Sequence, residues 1–351
     1  MSKEKEKNCR LGSVGGQAVL DGVMMKNGDR YSIAVRRQDG SVVVEDGEHV
    51  SLRKKNKFFN VPLIRGCVNM AESLVLSTKI LNRSAILSGV EEEETKDGKK
   101  TNWELLFGIA TAIGLVLGVG LSLLLFIFLP QLLTKLLERL IGTDLGLWKN
   151  VIEGGTKLLI FIGYLCLVLL MKEIRTTFRY HGAEHKTIFC YEAGEELTPE
   201  NVKKYKRFHP RCGTSFLFIV ILLGIAISFL PIFNWDNLLL RFLTKLALLP
   251  LIVGVSYEAI RFAGMHDNVI TKILSAPGLW VQRITTKEPT LEEIEVAIHA
   301  LKASLPEVFT DYVKPPMPPE LMPKSEKTEQ SDSENGETEN ETPADTENPN
   351  A

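Results

Sequence analysis

Four stretches of this 351-residue chain are almost free of charge: Trp103 to Leu129, Thr156 to Met171, Thr214 to Phe233 and Leu246 to Ala263. Crossing a hydrocarbon core takes about 20 helical residues. A backbone that enters the core must satisfy its own hydrogen bonds, which a helix does. The reading is therefore an α-helical membrane protein with about four transmembrane helices and the lipid bilayer as its first partner. The second and fourth stretches are short or begin beside Lys157 and Lys245, whose long side chains can snorkel to the interface. Gly114 and Gly118 form either a small-residue contact face or two scattered lipid-facing glycines.

Loop charge gives the expected orientation. The segment between spans two and three carries Lys172, Arg175, Arg179, Lys186, Lys203, Lys204, Lys206, Arg207 and Arg211. Lys135, Arg139 and Lys149 are the basic residues between spans one and two, and Arg241 stands between three and four, ahead of Lys245 at the start of span four. An excess of Lys and Arg marks the cytoplasmic side, and "MSKEKEKNCRLGSVGG" lacks the apolar core of a signal peptide. Both termini and the long basic loop are expected in the cytoplasm. There the five cysteines (Cys9, Cys67, Cys166, Cys190, Cys212) form no disulfide framework, and Cys190 and Cys212 read as thiols or ligands.

Residues 11–102 read as a cytoplasmic α+β domain ending in the charged linker "EEEETKDGKK". Tyr31, Ile33 and Val35 alternate with polar residues, and "RQDG" separates them from Val42, Val43 and Val44, a hairpin pattern. Asn27-Gly28 marks a turn before it. Ile64, Cys67, Val68, Ala71, Leu74, Val75 and Leu81 then form a helical apolar stripe. That stripe packs on the hairpin or lies on the membrane surface. "SLRKKNKF" is basic, but no nucleic-acid-binding module accompanies it, so it reads as a solvated turn beside anionic lipid and nucleic acid is not an expected partner.

Transmembrane helices one and two occupy 103–171, a cytoplasmic loop 172–213, and helices three and four 214–263. Residues 264–313 read as a cytoplasmic or interfacial helical segment, with an amphipathic element broken at Pro277-Gly278. After it comes a helix capped by Thr290 and Glu293, whose buried face is Leu291, Ile294, Ile298 and Leu301. Residues 314–351 are proline-rich, then acidic and polar, a composition expected to stay disordered.

The chemistry concentrates in the basic loop. In "RYHGAEHKTIFCYEAGEE" His181 and His185 stand four apart, which on a helix places two imidazoles on one face. Two imidazoles so placed can bind one divalent metal, zinc for choice, while Glu184 acts as base on a water, the requirement of metal-assisted hydrolysis. His-x-x-Glu-His is the inverted zincin pattern, which takes a third ligand from a downstream glutamate. Glu258 is the candidate. Alternatively, His209 and Cys212 in "FHPRCGTSF" complete a four-ligand set, a closed site that staples the loop. Glu192, Glu195 and Glu196 read as solvated loop acids. One length problem is visible: a helix continued ten residues past Met171 would carry His181 about 15 Å beyond the bilayer. Either that helix breaks, or the two ligand pairs are not one site.

Together "GGQAVLDGVMM", "RYHGAEHKTIFCYEAGEELTPENV", "HPRCGTSF", "APGLWVQRITTKEP" and "EVAIHAL" resemble the bacterial YqhQ-like family of multi-pass membrane proteins, DUF1385, over about residues 12 to 304. The resemblance implies a bacterial cell membrane location, a metal-dependent enzyme, and a central motif holding His181, Glu184, His185, His209 and Cys212. It names no substrate. Two functions follow. One is a metal-dependent hydrolase with a cytoplasm-facing His/Glu/Cys site. The other is a non-catalytic membrane factor whose structural metal shapes a surface for a membrane-protein partner in insertion, assembly or quality control. A transporter ranks third, because the spans carry few charges.

Overall fold

A computed structural model of the chain describes residues 14–89, 103–230, 237–265, 268–318 and 321. Cys9, the linker at 91–100 and the acidic tail beyond 321 lie outside the described residues.

The amino-terminal part is a four-stranded antiparallel meander: β1 (Val14–Val19), β2 (Gly22–Asn27), β3 (Arg30–Arg36) and β4 (Val42–Glu48), in that spatial order. The expected hairpin is β3–β4, with Val35 opposite Val43, and Gly28 takes a positive φ in the turn between β2 and β3. β1 and β2 were not anticipated. Gly15 and Gly16 weaken β1 as a strand signal, and Val23, Met24 and Met25 are buried on both faces and so do not alternate.

Both faces of the sheet are covered. Val19, Met24, Ile33, Val35 and Val43 pack on Leu76, Ile80 and Leu87 of a long helix, here α2 (Ile64–Leu87), which follows the four-residue α1 (Leu52–Lys55). Leu74, Val75 and Leu81 of α2 point outward and are more than half exposed. The apolar stripe of α2 therefore has two edges, one on the sheet and one facing away from it.

Among the described residues three helices are long and apolar enough to cross a membrane: Ile109–Ile141, Trp148–Val168 and Leu238–Ala263. The first combines α3 (Trp103–Leu123), a π-helical turn (Leu124–Phe128) and α4 (Leu129–Ile141). The second is α5 (Trp148–Val168), and the third lies within α9 (Leu238–Met265). The remaining apolar stretch forms α8 (Gly213–Ile227), whose 15 residues rise about 22 Å, short of the roughly 30 Å core. Residues 231–236, where that span was expected to end, are outside the described set.

The structure moves two boundaries outward, and this changes the electrostatics. α5 begins at Trp148 and α9 at Leu238, which brings Glu153, Arg241 and Lys245 inside the apolar helices. Lys245 does not snorkel. It and Arg241 both pair with the fully buried Glu153, with Arg241 Nη2 2.7 Å from Glu153 Oε1.

The length problem is solved by a break. The chain leaves helical geometry at Leu169–Met171, with Met171 extended (φ −76°, ψ 132°), and restarts as α6 (Lys172–Ala193). α6 does not continue the span. It packs on the sheet and on α11 (Leu291–Ser304), where Val14, Val23, Met25 and Ala34 meet Tyr180, Ala183, Ile188, Ile294, Ala297 and Leu301. The Thr290–Glu293 capping box of α11 forms as expected. Leu291 is exposed, while Val296, Ala297 and Ala300 are buried, because α11 is enclosed between the sheet, α6 and the short α7 (Pro199–Lys203). α10 (Val269–Thr285) runs unbroken through Pro277, contrary to the expected interruption; close packing on α8 holds it there, with Gly278 abutting Ser215.

α2 is also locked to the membrane-length helix α9. A Cβ on Gly254 would stand 2.7 Å from the Leu63 carbonyl oxygen, and Leu63 itself has φ 71°. Cys67 Sγ donates to the Pro250 carbonyl at 3.1 Å. Gly254→Val is expected to push the start of α2 off α9 and cost about 1–3 kcal/mol, as overpacking does. Thermal unfolding in detergent would read this as a lowered midpoint.

Candidate metal centre

Three of the ligands expected from the sequence come together. His181 and His185, one helical turn apart on α6, and Cys212, which caps the amino terminus of α8, each present one donor atom, all within 4.8 Å of one another. His181 Nε2 lies 3.2 Å from Cys212 Sγ. Around a tetrahedral zinc ion with ordinary Zn–N and Zn–S lengths that separation would be roughly 3.5 Å.

The imidazoles are oriented from behind. His181 Nδ1 donates to the Thr285 carbonyl at 2.9 Å, and His185 Nδ1 donates to the Arg207 carbonyl at 2.5 Å. A carbonyl only accepts, so both protons sit on Nδ1 and both Nε2 lone pairs face the cluster. His185 Nε2 is buried and has no hydrogen-bond partner. An orphaned imidazole nitrogen beside a second imidazole and a thiol suits a divalent ion such as zinc.

His209 lies beside the group, its ring 5.4 Å from that of His185 between centroids, but is not among the three converging donors. Its ring leans on Phe189 at 4.7 Å between centroids, and its Nδ1 accepts from the Arg211 amide at 3.3 Å. Burial, reinforced by His185 and the Arg211 guanidinium, holds its pKa well below the ordinary histidine value. Glu258 is not among the converging donors either. Its two oxygens accept from Arg65 Nε and Nη2 at 2.6 and 2.5 Å, and Arg261, one turn further along the helix, stands at 4.0 Å. Cys190 is a core thiol, pushed up to about 11 by burial. Glu192 is not solvated but buried, in an ion pair with Arg211.

Glu184 is buried on the same helix, and its Oε2 has no hydrogen-bond partner. Burial pushes its carboxyl up to about 7, against the opposing pull of His181. A Cβ on Gly16 would stand 2.7 Å from the Met24 carbonyl oxygen and 3.0 Å from Glu184 Cγ and Oε1, so glycine here lets β1 pass close to both its neighbouring strand and the carboxyl.

The cluster opens into a cavity of about 980 Å³. One wall is β1, from Val14 to Ala18; a second is the polar side of α2, with Asn69, Glu72, Ser73 and Ser77; a third is α6, with His181, Glu184 and His185. Gly213 and Thr214, where the apolar α8 begins, also line it. Lys26, Arg53 and Lys54 line a further part, so part of "SLRKKNKF" borders the cavity.

Two supporting residues were missed by the sequence reading. Gln282 of α10 is fully buried. Its amide accepts from the His209 N–H at 2.7 Å and donates to the His209 carbonyl at 2.8 Å and to Ser215 Oγ at 2.9 Å, fixing the loop that carries Cys212. Thr285, on the same helix, supplies the carbonyl behind His181. A polar Gln inside the apolar run "GLWVQRIT" was the available signal.

The family model described as "Protein of unknown function (DUF1385)" matches residues 61–307. The chain belongs to this family. The match contains every residue of the candidate metal centre and begins after the sheet. Similarity to one relative covers more of the chain: "Uncharacterized protein YqhQ" of Bacillus subtilis (strain 168) is 35% identical over 296 residues, 83% of this chain and 92% of that protein. No solved structure matches the chain.

Proposed function

We propose that this protein is a membrane-embedded, metal-dependent hydrolase of the bacterial cell membrane whose site faces the cytoplasm. One observation carries the reading: three donors converge beside the unpartnered Glu184 carboxyl at the wall of a large cavity. A closed structural zinc site takes four protein ligands, whereas a catalytic one takes three and keeps a position for water or substrate. His209, the residue that would have closed the set, is turned to Phe189 and Arg211.

His181, His185 and Cys212 would hold the ion, with Thr285 and Arg207 carbonyls fixing the imidazoles. Bound there, a zinc-like ion supplies Lewis acidity toward a carbonyl or phosphoryl oxygen. Glu184 takes the proton from the attacking water and returns it to the leaving group. Gly16 keeps the space in which that carboxylate works.

Glu184→Gln tests the assignment. The base touches water and not the ion, so the variant is expected to retain wild-type metal content while failing to complement loss of the gene. Full complementation by Glu184→Gln would leave the metal a structural role, and with it the reading of a non-catalytic factor that serves a membrane-protein partner.

A further inference from the structure

β1 is an edge of the sheet, paired on one side with β2. In an antiparallel pair, alternate residues of an edge strand turn their N–H and C=O groups away from the partner. Among the described residues none of these outward groups of β1 is hydrogen-bonded. Natural edge strands are usually shielded by charge, proline or a covering element. "VGGQAV" contains neither charge nor proline, and Gly15 and Gly16 are exposed.

The position of this edge distinguishes it. α2 covers one face of the sheet and α6 the other, and the cavity occupies the gap between them along β1. Five consecutive residues, Val14 to Ala18, line it, with Glu184 alongside Gly16 near the middle. A strand added to β1 would therefore run past Glu184 and the His181–His185–Cys212 cluster. Its side chains would alternate between the polar wall of α2, with Asn69 and Ser73, and the wall of α6, with Phe178 and Ile188.

We infer that the substrate is an extended polypeptide segment, held by backbone hydrogen bonds to the free edge of β1. This rests on the hydrolase reading and gives it a substrate class. An unpaired strand edge recognises the alternating donors and acceptors of another backbone, whatever its sequence. Cleavage adds water across one amide: the C–N bond breaks, oxygen joins the carbonyl carbon, a proton goes to the amine nitrogen, and nothing is oxidised.

The test is hydrogen exchange by mass spectrometry on the full-length, zinc-loaded Glu184→Gln chain in detergent, with a pool of random dodecapeptides as probe. With peptide tenfold above its Kd, the outward-facing amides of β1 are expected to exchange about tenfold more slowly. Ser73→Trp, which fills the opposite wall without touching a ligand, is expected to remove that protection at unchanged zinc content. Unaltered exchange on peptide addition overturns the proposal, as does protection that persists in Ser73→Trp. Edge amides already slow before addition would mean that this chain's own segments cover β1, which also overturns it. Protection by dihexanoyl phosphatidic acid and not by peptide would assign the cavity, through Lys26 and Arg53, to an anionic lipid instead. Protection without cleavage by the wild-type enzyme would refute the hydrolase reading and leave peptide binding standing, whereas cleavage without protection would do the reverse.

Discussion

His185→Ala is expected to empty the metal site, and His209→Ala is expected to leave it full. In metal centres the loss of a hydrogen-bonding partner behind a ligand already weakens affinity by about 10–100-fold. Removing the ligand itself should exceed that range, so His185→Ala, and equally Cys212→Ser, should leave the purified chain with little zinc. His209 is different because its ring packs on Phe189 and accepts from Arg211. Its loss should loosen the loop bearing Cys212 without removing a donor. Elemental analysis of the variants purified in parallel decides between three ligands and four. Equal loss in His185→Ala and His209→Ala would restore the closed tetrahedral site.

Glu153→Ala should have the largest effect on stability. The carboxylate is buried between α5 and α9 with Arg241 and Lys245 against it, and Asn150 Oδ1 accepts from Arg241 Nη2 at 3.3 Å. Deleting one member of a buried ion pair costs about 3–5 kcal/mol, because the charges left behind lose their partner in a medium that solvates them poorly. Here two cations are left. Unfolding in mixed detergent should show a large drop in stability for Glu153→Ala and partial recovery in the double variant Glu153→Ala/Lys245→Met. An unchanged transition would mean that water reaches the cluster.

How far the sequence could be read follows from which contacts are local. The long charge-free runs announced apolar helices, and a four-residue histidine spacing announced two imidazoles on one helical face, because both depend on neighbours in the chain. The Thr290–Glu293 capping box was equally local. What failed was distant. Glu258 is held by Arg65, 193 residues away, and His181 is oriented by Thr285, 104 residues away. His209 had the spacing of a ligand, but the direction of its ring is decided by Phe189 and Arg211. β1 was invisible for a related reason. Its glycines are poor strand formers, and the crowding of Gly16 by the Met24 carbonyl and Glu184 shows only in the fold.

Hydrolysis at this site requires a three-ligand centre with an open position beside Glu184. Zinc K-edge X-ray absorption on the purified, zinc-loaded chain measures that directly. Two nitrogen scatterers at about 2.0–2.1 Å, one sulfur at about 2.3 Å and one further light atom from solvent are predicted, with the light atom lost to an added zinc-binding hydroxamate. Three nitrogens and one sulfur, unmoved by the hydroxamate, would contradict it.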